Sequence, residues 1–145
     1  MSEAEWEVMR VVWTYGDVTS RQIIDILGDE YQWSPSTIKT LLKRLVDKQY
    51  LSVRKDGKVG HYTATVTERE MGIEKLQQDL SKICTTKQAS FVLDLLQQIP
   101  LSKSDAPAII SLLDERLPNL PEHVSCHCHK GQCQCQKGCD CQHEN

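Results

Sequence analysis

The chain has 145 residues, of which 26% are charged and 39% hydrophobic, a composition typical of one or two small globular domains. No apolar run reaches the roughly eighteen residues that a membrane-spanning helix requires, so we expect no membrane partner. The acidic start of the chain runs directly into a helical pattern, which is not typical of a signal peptide. We therefore expect a cytoplasmic protein.

The net charge of −3 conceals one basic stretch. Residues 34–62 carry seven basic and two acidic side chains, whereas residues 67–122 carry six basic and nine acidic ones. One compact basic stretch in an acidic chain is typical of a surface that contacts phosphate. A solvated helix face with no partner is the alternative interpretation of the same pattern.

Two capping boxes predict the first two helices. Ser2 with Glu5 precedes apolar residues at helical spacing, and Thr19 with Gln22 repeats the signal before a short second helix. Gly28 is expected to end that second helix.

The third predicted helix carries the candidate DNA contacts. Ser34 followed by Pro35 is a strong helix start signal, and the apolar residues that follow cluster on one side of the helix. In a helix-turn-helix the second helix of the pair enters the major groove with its N-terminal end first. Short hydroxyls suit base edges and long cations suit phosphates. We therefore predict DNA contacts from one group of polar residues: Ser36, Thr37, Lys39, Thr40, Lys43 and Arg44.

A basic hairpin is predicted after this helix. Residues 50–55 and 59–66 have strand character, and Asp56-Gly57 between them is a common hairpin turn. Three short helices followed by a basic hairpin predict a winged helix-turn-helix domain, which we assign to residues 1–66. The hairpin, or wing, adds three predicted contacts to phosphate or the minor groove: Arg54, Lys55 and Lys58.

Residues 67–121 predict three further amphipathic helices. Thr67 with Glu70 is a third capping box, and Ser104 is the candidate cap of the last helix. Helices this short bury little core alone, so we expect a second copy of the chain to cover them in a two-fold dimer. Packing on the winged domain alone is the alternative. Cys84 is expected to lie on one of these helices as a small core or interface residue.

Residues 122–145 form a tail that is rich in cysteine and almost without apolar side chains. In a reducing cytosol such clustered thiols predict metal binding rather than disulfides, and we expect a metal to be what orders the tail. The thiols form three CxC pairs: Cys126 and Cys128, Cys133 and Cys135, Cys139 and Cys141. The close spacing favours Cu(I), while four thiolates would equally hold one tetrahedral Zn(II). Four histidines are expected to be bystanders that tune metal entry: His123, His127, His129 and His143.

Several functions remain open on these residues alone. A DNA-binding repressor would sense copper, or else zinc or cadmium through the same thiolates. The tail would otherwise serve as a metal buffer. We expect no enzymatic activity, because the sequence contains no nucleophile elbow, phosphate loop or HExxH motif.

Two segments resemble the BlaI/MecI/CopY family of winged-helix repressors: residues 4–13, AEWEVMRVVW, and residues 33–45, WSPSTIKTLLKRL. The CxCx4CxC motif of residues 126–135 resembles the copper-responsive CopY branch. The resemblance implies a homodimer that binds the double-stranded operator of copper-homeostasis genes in its Zn(II) form, with a palindromic site. It also implies that Cu(I), delivered by a copper chaperone, displaces zinc at the CxC motifs and releases the DNA.

This chain departs from that motif by adding Cys139 and Cys141, which leaves its metal count open. The predicted fold class is mainly α, with a winged helix-turn-helix domain, a helical dimerisation domain and a Cys-rich, metal-ordered tail.

Overall fold

The structure is a computed structural model that describes residues 1–129 and 131–132. In chain order its elements are α1 (Glu3–Tyr15), β1 (Asp17–Thr19), α2 (Ser20–Tyr31), α3 (Pro35–Asp47), β2 (Leu51–Asp56), β3 (Val59–Ala64), α4 (Glu68–Ser81), α5 (Thr85–Gln98) and α6 (Asp105–Arg116), followed by a 3-10 turn at Leu117–Asn119. The chain divides into two compact units, one of residues 1–75 and one that begins at Leu76, so the division falls within α4. The described residues include no helix long and apolar enough to cross a membrane.

The first unit is a winged helix-turn-helix, as predicted. Its three helices pack with an antiparallel sheet of strand order β1-β3-β2. Strands β2 and β3 form the wing and pair from Leu51 opposite Ala64 to Asp56 opposite Val59. The short strand β1 was not predicted; it pairs with β3, placing Asp17 opposite Thr63. The predicted mainly helical, winged-helix class is confirmed.

The core of this unit lies beneath α3. Ile38, Leu42 and Leu45 are fully buried, and they belong to one cluster with apolar residues of α1 and α2, including Met9 and Ile23. The same spacing that predicted the apolar face of α3 therefore fixes which face of that helix turns away from the core.

The predicted capping boxes of the first, second and fourth helices are all present. Each pairs a hydroxyl with the backbone N–H three residues later, and the side chain of that later residue accepts from the capping residue's own N–H. Two other predicted helix boundaries were wrong.

Gly28 does not end α2, which continues to Tyr31. The helix ends at Gln32, whose φ of 58° is left-handed and whose N–H donates to the carbonyl of Gly28. Tyr31 also stacks on Trp33 and donates its hydroxyl to Glu7 at 2.9 Å. A glycine inside a helix costs only about 1 kcal/mol relative to alanine. These contacts favour one more turn of helix, so the glycine is tolerated.

Ser104 does not cap α6, because its backbone is helical and its side chain makes no capping bond. The capping interaction is formed two residues earlier, where the Ser102 N–H donates to Asp105 Oδ2 at 2.7 Å and the Asp105 N–H donates to Ser102 Oγ at 3.2 Å. Ser102 and Ser104 are both suitable capping residues by type. Only Ser102 has an acidic residue three positions later, Asp105, which completes the capping interaction.

A buried carboxylate joins α1 to the end of α3. Glu5 is only 1% exposed, and both of its oxygens lie 2.9 Å from Lys48 Nζ. Burial raises the pKa of Glu5, but the hydrogen bond from the Ser2 N–H and the charge of Lys48 outweigh burial, so the pKa lies below its usual value. The carboxylate therefore stabilises the fold above its unfolded pKa, and that stabilisation is lost as the pH falls through the folded value.

Replacing Lys48 with methionine should destabilise the winged unit by about 1–3 kcal/mol at pH 7. The loss is smaller than for a fully buried pair, because the Lys48 side chain is 47% exposed and water can reach the carboxylate. Urea unfolding of K48M at pH 7 and pH 4.5 measures it, and the deficit should shrink at the lower pH, because Glu5 of the variant lacks the charge that lowers its pKa and becomes protonated there. K43M, which removes an exposed lysine of α3, the helix that Lys48 follows, is the control. Equal losses in the two variants would contradict the role of this ion pair.

Candidate DNA interface and thiol cluster

The N-terminal end of α3 presents hydroxyl groups at the surface. Ser36, Thr37 and Thr40 are all exposed. Ser34 Oγ caps the helix by accepting from the Thr37 N–H and lies 3.0 Å from Ser36 Oγ, while Thr40 Oγ1 donates to the Ser36 carbonyl at 2.9 Å. Their rotamers are thus restrained locally, and each hydroxyl oxygen can still accept a hydrogen bond from a base edge.

The basic residues predicted on α3 are also exposed. Lys39, Lys43 and Arg44 form no ion pair with any carboxylate among residues 1–129. Cations without a protein partner keep their full charge available for phosphate. We call this exposed face, Ser36, Thr37, Lys39, Thr40, Lys43 and Arg44, the α3 polar face.

The three basic residues predicted on the wing differ in whether they form an ion pair. Lys55 and Lys58 are exposed near the β2–β3 turn. Arg54 instead pairs with Asp17 of β1, Nη2 to Oδ2 at 3.6 Å, and His61 Nδ1 lies 3.0 Å from the other oxygen of the same carboxylate. Asp17 therefore pairs with Arg54 midway along the wing, and a phosphate would have to compete for this arginine. Sequence reasoning missed Asp17 because β1 is too short to show a strand pattern.

Three cysteine sulfurs meet in the second unit. The Sγ atoms of Cys84, Cys126 and Cys128 all lie within 4.8 Å of one another, and Cys84 Sγ is 3.4 Å from Cys126 Sγ. All three residues are half-buried. We call this set the thiol triad.

The prediction that Cys84 lies on a helix or in the core was wrong. It does not lie on a helix, because α4 ends at Ser81 and Cys84 is the residue that precedes α5. Nor is it a core residue: its sulfur faces the tail and also lies 3.0 Å from Thr86 Oγ1. One signal in the sequence pointed to this role, since Cys84 is the one cysteine of seven outside the tail.

The tail is held against the start of α5 by its backbone as well. Thr85 Oγ1 donates to the carbonyl of Ser125, the residue before the first CxC pair. The Cys128 N–H donates to Cys126 Sγ at 3.4 Å, which brings the two sulfurs of the pair to the same side. A cleft beside the triad is lined in part by His127 and His129.

The thiols of the triad hydrogen-bond to one another. Sharing hydrogen bonds with Cys84 and Cys126 raises the pKa of the Cys128 thiol above its usual range. A metal ion would replace the shared protons, because thiolates rather than thiols are the ligands. The other predicted metal ligands, Cys133, Cys135, Cys139 and Cys141, lie outside the described residues.

The helices of the second unit leave an apolar surface uncovered. Neither α5 nor α6 contains a buried residue. On α5 and at its C-cap the exposed side chains follow helical spacing, with Leu95 53% exposed at the centre of the row; the row is Phe91, Val92, Leu95 and the C-cap residue Ile99. On α6 a second group is exposed: Ile110, Leu112 and Leu113. Monomeric proteins rarely expose this much contiguous apolar surface.

Comparison with known proteins identifies the family. Residues 1–115 match the family model described as penicillinase repressor. The chain belongs to this family. It is a DNA-binding transcriptional repressor, as the family is, and its tail lies beyond the part that the family model matches.

Individual relatives match the chain over different lengths. A penicillinase repressor of Bacillus licheniformis is 32% identical over 115 residues, which are 79% of this chain and 90% of that protein. A 16.5 kDa protein of Latilactobacillus sakei is 39% identical over 137 residues, 94% of each chain, so that its similarity to this repressor extends into the tail. The solved DNA-binding domain of the repressor BlaI is 40% identical, with a TM-score of 0.45, and covers 47% of this chain and 83% of that domain.

Proposed function

We propose that this repressor is a copper-responsive homodimer of the cytoplasm. It binds a palindromic operator through the α3 polar face and the wing while its tail holds Zn(II), and Cu(I) at the tail thiolates releases the operator. The thiol triad is the observation that carries the metal part of this proposal. It is a preformed group of soft ligands in a chain whose N-terminal unit is a DNA-binding domain.

The donor set fits the proposed ions. Thiolate sulfur selects Cu(I) and also binds Zn(II), and the triad offers three such groups within the reach of one ion. Cys126 and Cys128 would hold the metal, with Cys133, Cys135, Cys139 and Cys141 as further proposed ligands. When bound, the ion would link separate parts of the chain through strong metal–sulfur bonds. Zn(II) and Cu(I) would form these bonds at different coordination numbers.

The uncovered apolar row on α5 supports the dimer. A second copy of the chain that packs the same row against itself would bury this surface in a two-fold interface. Two α3 helices would then contact successive major grooves, about one helical turn apart, which is why we propose a palindromic operator.

Operator binding measured by fluorescence anisotropy tests the metal response. With the Zn(II)-loaded protein we expect tight binding, and Cu(I) added under reducing conditions should raise the Kd by about 10- to 100-fold. The double variant C126S/C128S should lose this difference between the metals. The control variant H123A changes a tail residue outside the triad and should respond like the natural sequence. Equal affinities of the natural sequence in both metal forms would rule the proposal out.

A repressor that senses zinc or cadmium is the second candidate. The spacing of the triad sulfurs accommodates a tetrahedral ion as well as a trigonal one. Titration of the DNA-bound protein with buffered Zn(II), Cd(II) and Cu(I) separates the two candidates by the free concentration at which each ion releases the operator. If removal of residues 123–145 changes neither binding nor response, the tail is a metal buffer instead.

A further inference from the structure

We propose that Cys84, which lies outside the CxC motifs, is a metal ligand together with Cys126 and Cys128. This inference rests on the proposed function in one respect, namely that the tail binds a soft metal ion. It adds a ligand from the helical unit and thereby names the place where the tail is attached to the rest of the repressor.

The sulfur positions favour a shared ion. Three thiolates on one ion at a bond length of about 2.3 Å lie about 3.8 Å apart in tetrahedral geometry and about 4.0 Å apart in trigonal geometry. The triad sulfurs already lie within 4.8 Å of one another, and the Cys84–Cys126 separation is 3.4 Å. Changes of no more than about 1 Å in the sulfur–sulfur distances, which side-chain rotation can supply, would bring them to the required spacing.

The position of Cys84 before α5 favours a negatively charged cluster. A metal bound by three thiolates carries net negative charge, and the N-terminus of a helix stabilises negative charge through its unpaired N–H groups. The Thr85–Ser125 hydrogen bond independently brings the tail to this point. This hydrogen bond, in addition to any bound metal, thus holds the first CxC pair close to Cys84.

This ligand would couple metal exchange to dimerisation. Cys84 immediately precedes α5, and the same helix carries the apolar row of Phe91 and Leu95. An ion that binds Cys84 would fix the tail to the first turn of that helix. Exchange of Zn(II) for Cu(I), which differ in coordination number, would then shift Cys84 and with it the start of α5, the helix that carries the proposed dimer interface.

Alkylation of the full-length natural protein tests the contact directly. Zn(II)-loaded and metal-free protein are treated with iodoacetamide and digested with trypsin, and the peptide of residues 83–87, which contains Cys84, is quantified by mass spectrometry. We expect Zn(II) to slow the labelling of Cys84 by at least about 10-fold, as for a coordinated thiolate. In C126S/C128S the protection of Cys84 should disappear. Labelling of Cys84 at equal rates with and without Zn(II) would overturn the inference.

The C84S variant gives a second measurement. Co(II) replaces Zn(II), and the sulfur-to-cobalt charge-transfer absorption should fall by about one thiolate's share, while competition with a chelator should show Zn(II) affinity at least about 10-fold weaker. The control variant S81A alters a hydroxyl near the cluster without removing a thiolate. An unchanged cobalt spectrum in C84S would overturn the role of Cys84 while leaving the proposed function intact. Absence of any cobalt–thiolate band in the natural sequence would instead defeat the proposed function.

Discussion

The L95D variant should be a monomer that binds the full operator about 10²- to 10⁴-fold more weakly than the natural sequence. Leu95 lies at the centre of the exposed row on α5. An aspartate there would bury two like charges against each other in a two-fold interface, because every interface residue of a symmetric dimer occurs twice. Without the dimer each winged unit binds one half-site, and the gain from linking two binding units is lost.

Sedimentation velocity and operator anisotropy on the same sample measure both effects. Q97D is the matched control, because it adds the same charge to an exposed position on the opposite side of α5. Binding of L95D to a single half-site should stay within a few fold of the natural sequence, since α3 is unchanged. If L95D remains a dimer at micromolar concentration, the α5 row is not the interface.

The triple variant K39Q/K43Q/R44Q should weaken operator binding by about 10²- to 10⁴-fold at physiological salt. It should also make binding less dependent on salt. Each substitution occurs twice in a dimer, so six phosphate contacts are lost, and the slope of log K against log salt should become shallower by about 5. These three cations are exposed and form no ion pair with a carboxylate among residues 1–129, so their removal costs the fold little.

Binding isotherms at several salt concentrations measure this slope. The control variant K82Q/K103Q/R116Q removes the same number of charges from the second unit. It separates contact with DNA from the general effect of net charge. A slope equal to that of the natural sequence in the α3 variant would show that these residues contact no phosphate.

Local chemistry explains which predictions from sequence were confirmed. The capping boxes and the Ser34-Pro35 start are interactions within one turn of helix, so the residues that form them are adjacent in the sequence. The apolar face of α3 follows from its spacing for the same reason. Gly28 and Ser104 were misjudged because a helix boundary also depends on what packs nearby, as the Tyr31–Trp33 stack shows.

The remaining features depend on contacts between distant residues. Strand β1 exists because β3 pairs with it 44 residues later in the chain, as the Asp17–His61 contact illustrates. Cys84 meets Cys126 across 42 residues, and neither spacing nor composition encodes that contact. The sequence could thus predict that Cys126 and Cys128 lie together, and it could not predict that Cys84 joins them.

The tryptophans provide an optical reporter of events that occur elsewhere in the chain. All three lie within the first unit, and none lies in the tail. Trp6 contacts Trp13 edge-on at 5.1 Å and lies beneath Lys75 of α4, while Trp13 Nε1 donates to the Val66 carbonyl, just before α4 begins. Indole emission responds to such neighbours. A change in intrinsic fluorescence on metal exchange would therefore report a rearrangement around the tryptophans of the first unit, in an unlabelled protein and in real time.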